Sequence, residues 1–262
     1  MLGAAVLSLG LAWSGASALS ASAQTAPVAA PAAKAKAKPK AQAKAPVAID
    51  ELDPAQQVSD TVVDIAAWVI ASGDNRELPF AIVDKDAAQV LVFGADGKLR
   101  GLAPALLGSA VGDESAPGVG DRELKDIPLH DRTTPAGRYF AAFGPAADGK
   151  TALWVDYVTA VSIHALTGTT PKKEKRKERL ASPFPTDNRI THGCINVSPS
   201  FYSKVVQPVF KKKGGVFYVL PDEMPLQAAF PGFEPPNRFA FTSEGSNTAS
   251  FTRPARKRAK GK

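Results

Sequence analysis

Between Leu78 and Asp222 the chain is cut into short apolar runs, each closed by residues that turn the backbone. The runs are "FAIVD", "QVLVFG", "LRGLAPALLG", "GRYFAAFG", "ALWVDY", "AVSIHAL" and "GVFYVL". They are rich in Val, Ile, Phe and Tyr and too short for helices of ordinary length, which marks them as strands. Asp96-Gly97, Pro135-Ala136-Gly137 and Asp148-Gly149 punctuate them with turn chemistry. Seven strand candidates at hairpin-like spacing predict a mostly β, mainly antiparallel assembly with few helices.

Two helices flank or interrupt that pattern. In "QQVSDTVVDIAAWVIASG", Val58, Val62, Ile65, Val69 and Ile70 recur at helical spacing and Gly73 stops the run. This helical segment, 51–77, is expected to pack on the main domain, 78–222. The second helix starts at Ser198 as N-cap with Pro199 in its first turn. Phe201, Tyr202, Val205, Val206, Val209 and Phe210 share one face, Pro208 is expected to bend it, and Gly214-Gly215 ends it.

Outside these regions the composition changes. Residues 24–50 are largely Ala, Pro and Lys, too poor in large apolar side chains to offset ordering entropy, and read as a disordered linker. Residues 223–262 turn Pro-rich, then polar and basic, and read as a disordered basic tail. Residues 2–23 carry no charge and end in Ala21-Ser22-Ala23, which fits cleavage before Gln24. Segment 1–23 is therefore expected to be an export signal, with an uncleaved anchor as the alternative, although no Lys or Arg precedes its apolar part. Export places the protein in the periplasm or cell envelope. Lys and Arg exceed Asp and Glu by 32 to 25, a net +7, much of it in Lys34 to Lys44, Lys172 to Arg179 and the tail. Such segments suit an anionic wall or envelope polymer. Nucleic acid is disfavoured for an exported chain without a recognition motif.

Cys194 is the only cysteine. A lone thiol cannot form an internal bridge, so in an exported chain it is either buried and inert or kept for its chemistry. It lies in "RITHGCINVSPSFY", after Gly193 and ahead of the helix at Ser198. A helix N-terminus and a neighbouring imidazole both favour thiolate, and Gly193 permits a bend whose N–H groups meet a developing oxyanion. Those are the parts that acyl transfer needs. Three histidines compete as base. His192 is two residues away, His164 sits on the polar face of "AVSIHAL", and His130 in "PLHDRTTPAG" looks like a turn residue. Spacing alone leaves the choice open between His164 and His192. Papain-like enzymes are set aside because their cysteine precedes the histidine, whereas here every histidine precedes Cys194. Sortases need an arginine soon after the cysteine, and the next here is Arg238.

"THGCINVSP" resembles the cysteine signature of the L,D-transpeptidases, bacterial cell-wall enzymes with a YkuD-type catalytic domain. Thr191, His192, Gly193, Cys194, Ile195 and Asn196 carry the match. "SIHAL" resembles the strand that holds the base, "TTPAGRY" an upstream turn, and "GGVFYVL" the closing strand, all in the family's order. The resemblance implies a YkuD-like β-sandwich with Cys194 as nucleophile and His164 as base. It implies that His192 and Thr191 line the site, that Gly193 and Cys194 offer oxyanion N–H groups, and that Asn196 braces the loop. It implies peptidoglycan stem peptides as donor and acceptor, with no metal and no organic cofactor.

Two features depart from the family pattern. Asn196 stands where arginine is common, and 30 residues separate His164 from Cys194, longer than usual. The extra length, "GTTPKKEKRKERLASPFPTDNR", carries the basic run. It is either a lid or polymer-holding loop, or a solvated surface excursion. Three further readings stay open: a wall-binding module without catalysis, a hydrolytic carboxypeptidase or amidase on the same fold, and a zinc site of His164, His192 and Cys194. The last matches no standard ligand spacing.

Overall fold

The computed structural model describes residues 58–146, 149, 151–168 and 171–235. The expected signal segment 1–23, the linker 24–50 and the tail from 236 lie outside the described residues.

The first helix, α1 (Asp60–Ser72), begins where Ser59 Oγ accepts the Val62 N–H and ends at Gly73, which has φ +66°. Val62, Ile65 and Val69 are buried, whereas Ile70 is half exposed at 50%. The strands follow: β1 (Phe80–Asp84), β2 (Gln89–Phe93), β3 (Leu99–Pro104), β4 (Leu107–Gly108), β5 (Gly137–Pro145), β6 (Thr151–Asp156) and β7 (Val161–Ala165). After them come α2 (Arg176–Leu180), β8 (Arg189–Thr191) and β9 (Ile195–Val197). The helical run then comprises α3 (Pro199–Phe201), a π-helical turn over Tyr202–Val206, and α4 (Gln207–Phe210), ahead of β10 (Gly215–Val219) and α5 (Leu226–Ala229). The π turn falls just before Pro208, which has no N–H to donate to the ladder.

Eight strands form one ladder in the order β3-β2-β1-β10-β5-β6-β7-β9, and β4 pairs separately with β8. β5 joins the two halves: Gly137 to Ala141 pair with β10 and Ala142 to Pro145 with β6. Inward residues of both halves share one apolar cluster, including Val83, Val92, Phe217, Leu153, Ile163 and Ile195, with Phe201, Val206 and Phe210 of the helical run. The fold is mostly β, sandwich-like, with few helices. A second cluster covers the other face of the first half, where Phe80, Ile82, Leu91 and Tyr218 meet α1. Each large side chain so buried contributes roughly 1.5–3 kcal/mol.

The eight-stranded sheet is mainly antiparallel, as expected, and the parallel pairings of β1 with β10 and β7 with β9, with β4 and β8 beside them, make it mixed. Other expectations are corrected. "LRGLAPALLG" is two strands, since the backbone of Leu106 leaves the β3 ladder to bridge Asn196. The chain past Asp222 does not loosen at once: Phe230 and Phe233 are buried in the second cluster, and Gly232 O accepts the Trp68 indole N–H at 3.0 Å. The basic insertion folds, with a 3-10 turn at Lys172–Glu174, then α2, and Leu180 buried with Leu106 and Leu166. That packing sets aside a wholly solvated excursion for its described part.

Candidate active site

β7 and β9 run in parallel with Ile163 opposite Ile195 and His164 opposite Asn196. This register sets the His164 side chain beside the loop that ends at Cys194. Strand alternation puts Ser162 on the same face as His164. Cys194 is half-buried, with Sγ 3.7 Å from Ser162 Oγ and 3.6 Å from the Ala160 carbonyl. Burial pushes the thiol up, but hydrogen bonding and charge from His164, with two hydrogen bonds from Ser162, outweigh it and hold the thiol below its ordinary value. Burial pulls the His164 imidazole down, while its hydrogen bond to Cys194 and the thiolate charge raise it above the ordinary histidine value. Thiol and imidazole thus act on each other's titration.

The ring of His164 is held at both nitrogens. Nδ1 is 3.1 Å from the Ala165 carbonyl, and Nε2 is 3.1 Å from Asn196 Nδ2. Asn196 is fully buried; its backbone exchanges hydrogen bonds with Leu106 at 2.9 and 2.8 Å. Its Oδ1 accepts from Arg176 Nη1 at 2.8 Å. Arg176 comes from the basic insertion, where no sequence signal singled it out from its neighbours.

The loop before the cysteine is tied to itself. Thr191 Oγ1 donates to the Cys194 carbonyl at 2.6 Å and accepts the Gly193 N–H at 3.1 Å. The Gly193 N–H is therefore spent on the loop rather than aimed at a substrate oxygen. Thr134 Oγ1 donates to the Gly193 carbonyl at 2.9 Å and accepts the Gly108 N–H at 2.9 Å. Gly193 has φ +126°, and a Cβ there would stand 2.7 Å from the Thr133 carbonyl oxygen, so this position needs glycine. His192 is half-buried, and burial together with Arg132 and Arg176 holds its imidazole below the ordinary value. His130 lies on an exposed 3-10 turn, 3.5 Å from Asp131.

One electrostatic expectation is corrected. Cys194 does not abut a helix N-terminus, because β9 lies between it and the N-cap Ser198. Four residues of extended chain span roughly 13 Å, beyond the reach of a helix-end dipole. Thiolate stabilisation comes instead from His164 and Ser162. Among the described residues no group of three or more His, Cys, Asp or Glu side chains is arranged to hold a metal ion. Among them also, no helix is long and apolar enough to cross a membrane.

No protein-family model and no curated protein matches the sequence. Solved structures do. An L,D-transpeptidase in complex with imipenem aligns at 17% identity and TM-score 0.32, over 54% of this chain and 58% of that one. A mutant L,D-transpeptidase of Enterococcus faecium aligns at 18% and 0.32, over 54% and 49%. The catalytic domain of an Enterococcus faecium L,D-transpeptidase aligns at 19% and 0.29, over 55% and 98%. The chain thus spans about half to three-fifths of the first two and nearly all of the third. These proteins are what the chain is similar to, and the similarity assigns no role to the site residues.

Proposed function

We propose that the protein performs cysteine-dependent acyl transfer on peptidoglycan stem peptides, with Cys194 as nucleophile and His164 as base. The observation that carries this reading is the placement of Cys194 beside β7, with Sγ 3.7 Å from Ser162 Oγ and His164 two residues on along the same face, its Nδ1 held by Ala165. The Cys194 thiol gives its proton to His164, and the sulfur attacks the carbonyl carbon between an L-centre, such as that of diaminopimelate, and a D-Ala. The C–N bond breaks, the D-Ala nitrogen takes the proton from His164, and a thioester remains. An amine of a second stem peptide then attacks the thioester carbon and passes its proton to His164. The C–S bond breaks and the thiolate returns. Water in place of the amine makes the same site a carboxypeptidase or amidase.

The Cys194 amide is the donor proposed for the oxyanion, since Thr191 takes that of Gly193. Arg132 and Arg176 make the surroundings of His192 positive, which suits the carboxylates of stem peptides. A substrate of this kind places the working protein outside the cytoplasm, in keeping with an export signal at 1–23.

Incubation with a disaccharide-tetrapeptide, followed by mass spectrometry, tests the reading. Wild type is expected to release D-Ala and Cys194→Ala to release none. A cross-linked dimer identifies transpeptidation, and a bare tripeptide identifies hydrolysis. Intact-mass measurement after exposure to a carbapenem is expected to show an adduct on Cys194. Neither D-Ala nor adduct from folded wild type would leave a wall-binding module as the reading.

A further inference from the structure

The amide of Asn196 has two unlike ends, an oxygen that accepts and a nitrogen that donates, and either can face either neighbour. Arg176 removes that freedom. A guanidinium has donors only, so Nη1 at 2.8 Å fixes the neighbouring amide atom as Oδ1. The other end, Nδ2, then points a donor at His164 Nε2, 3.1 Å away. A nitrogen that accepts there carries no proton, so the ring proton belongs on Nδ1, where the Ala165 carbonyl stands 3.1 Å away to receive it. Each link requires the next.

We propose that Arg176, supplied by the basic insertion, is a positioning residue that orients the Asn196 amide and thereby keeps His164 in the neutral Nδ1–H form of a general base. This rests on the reading of Cys194 and His164 as the reacting pair. Arg176 is itself clamped: Glu174 Oε2 accepts from its Nε at 2.6 Å, and its side chain is 11% exposed. Asn196 cannot slide away, because its backbone is held on Leu106 and paired with His164. The packing of Leu180 against Leu106 and Leu166 anchors the helix that carries the arginine. A lid that merely covered the site would not need this connection.

The chain of contacts acts on the proton as well as on the ring. When His164 gains a proton at Nε2, that N–H meets the donor end of the amide, and the imidazolium is disfavoured. The Arg176 charge works in the same direction, against the pull of the Cys194 thiolate. Glu174, bound to Arg176, and the neutral-leaning His192 complete the titratable groups around it. The effect is a base that takes a proton briefly and gives it up to a leaving amine.

Long-range proton–nitrogen NMR of the 15N-labelled full chain reads both protonation and tautomer of His164 without substrate. Wild type is expected to show, above its titration midpoint, a proton on Nδ1 and a bare Nε2. Arg176→Met frees the amide to turn its oxygen toward Nε2, so the imidazolium-to-imidazole ratio at fixed pH rises roughly tenfold. Arg176→Lys, which keeps a charged donor, is expected to stay near wild type. Asn196→Asp tests the same link without touching α2 and is expected to place a proton on Nε2. A wild-type ring with its neutral proton on Nε2, or Arg176→Met and Asn196→Asp titrating as wild type does, overturns the inference. The D-Ala assay fails or succeeds independently, so a correct tautomer with no D-Ala release condemns only the functional reading.

Discussion

Ser162 and Cys194 face each other across the β7–β9 pairing, with Oγ 3.7 Å from Sγ. The hydroxyl is a donor to a thiolate and little use to a neutral thiol, so it favours the reactive form. Ser162→Ala is expected to slow alkylation of Cys194 by iodoacetamide at neutral pH roughly tenfold, the cost of about one hydrogen bond to a charged group. Ser162→Thr keeps the hydroxyl and should recover most of the rate. Equal rates in Ala and wild type would remove Ser162 from the site.

Gly193 offers a harsher test of the loop. Alanine there combines a φ of +126° with a Cβ 2.7 Å from a backbone oxygen, and that oxygen belongs to Thr133, whose neighbour Thr134 holds the loop. Gly193→Ala is expected to cost about 2–3 kcal/mol in urea unfolding. Alkylation of Cys194 at neutral pH should slow, because the sulfur leaves its place beside Ser162. A stable, normally reactive Gly193→Ala protein would mean that the loop relaxes cheaply.

The sequence showed these relationships unevenly. The long strands were readable because five or more apolar or alternating residues leave a pattern, as in "FAIVD" and "GVFYV". β8 and β9, which frame the cysteine, have three residues each and leave none. Missing β9 also put Cys194 at a helix end where it does not sit. Ser162 was passed over, although as the i−2 neighbour of His164 on a strand it shares that residue's face. Arg176 was not, because a run of eight charged residues does not reveal which cation turns inward. That choice depends on where Leu180 finds its pocket, a property of the folded surface rather than of spacing.

A buried ionic cluster is tied to the cysteine loop through Thr134, whose carbonyl accepts from Lys85 and whose hydroxyl donates to Gly193. Lys85 Nζ lies 2.8 Å from Asp113 and 3.1 Å from Asp222, and Arg189 binds Asp222 at 2.6 Å. Burial pushes the Asp113 carboxyl up, but Lys85 and the backbone N–H groups of Asp222, Met224 and Glu223 bring it down to about 2. A carboxyl depressed in the folded state stabilises above its unfolded value, here 3.8, and loses that contribution as pH falls through about 2. The shift corresponds to roughly 2 kcal/mol at neutral pH. Asp113→Asn is expected to lose about that much by urea unfolding at pH 7, Lys85 keeping Asp222 as its partner, and to flatten the stability curve between pH 4 and pH 2. An unchanged slope in that window would assign the acid sensitivity elsewhere.

Cys194 and His164 titrate as a pair. Hydrogen bonding and charge between Cys194 and His164 lower the thiol and raise the imidazole, so each titrates toward the other. Alkylation of Cys194 followed against pH should therefore reach half its maximum below the ordinary thiol value of 9.0. Replacing the base with His164→Gln removes the partner but leaves burial, which acts upward on the thiol. The midpoint is expected to move above that of wild type, and the rate at neutral pH to fall with the thiolate fraction. His192→Gln should move the midpoint far less, because its imidazole is not among the groups acting on the sulfur. The contrast between the two histidines decides which is the base. A profile that shifts with His192→Gln and not with His164→Gln would reverse the assignment made from the β7–β9 register.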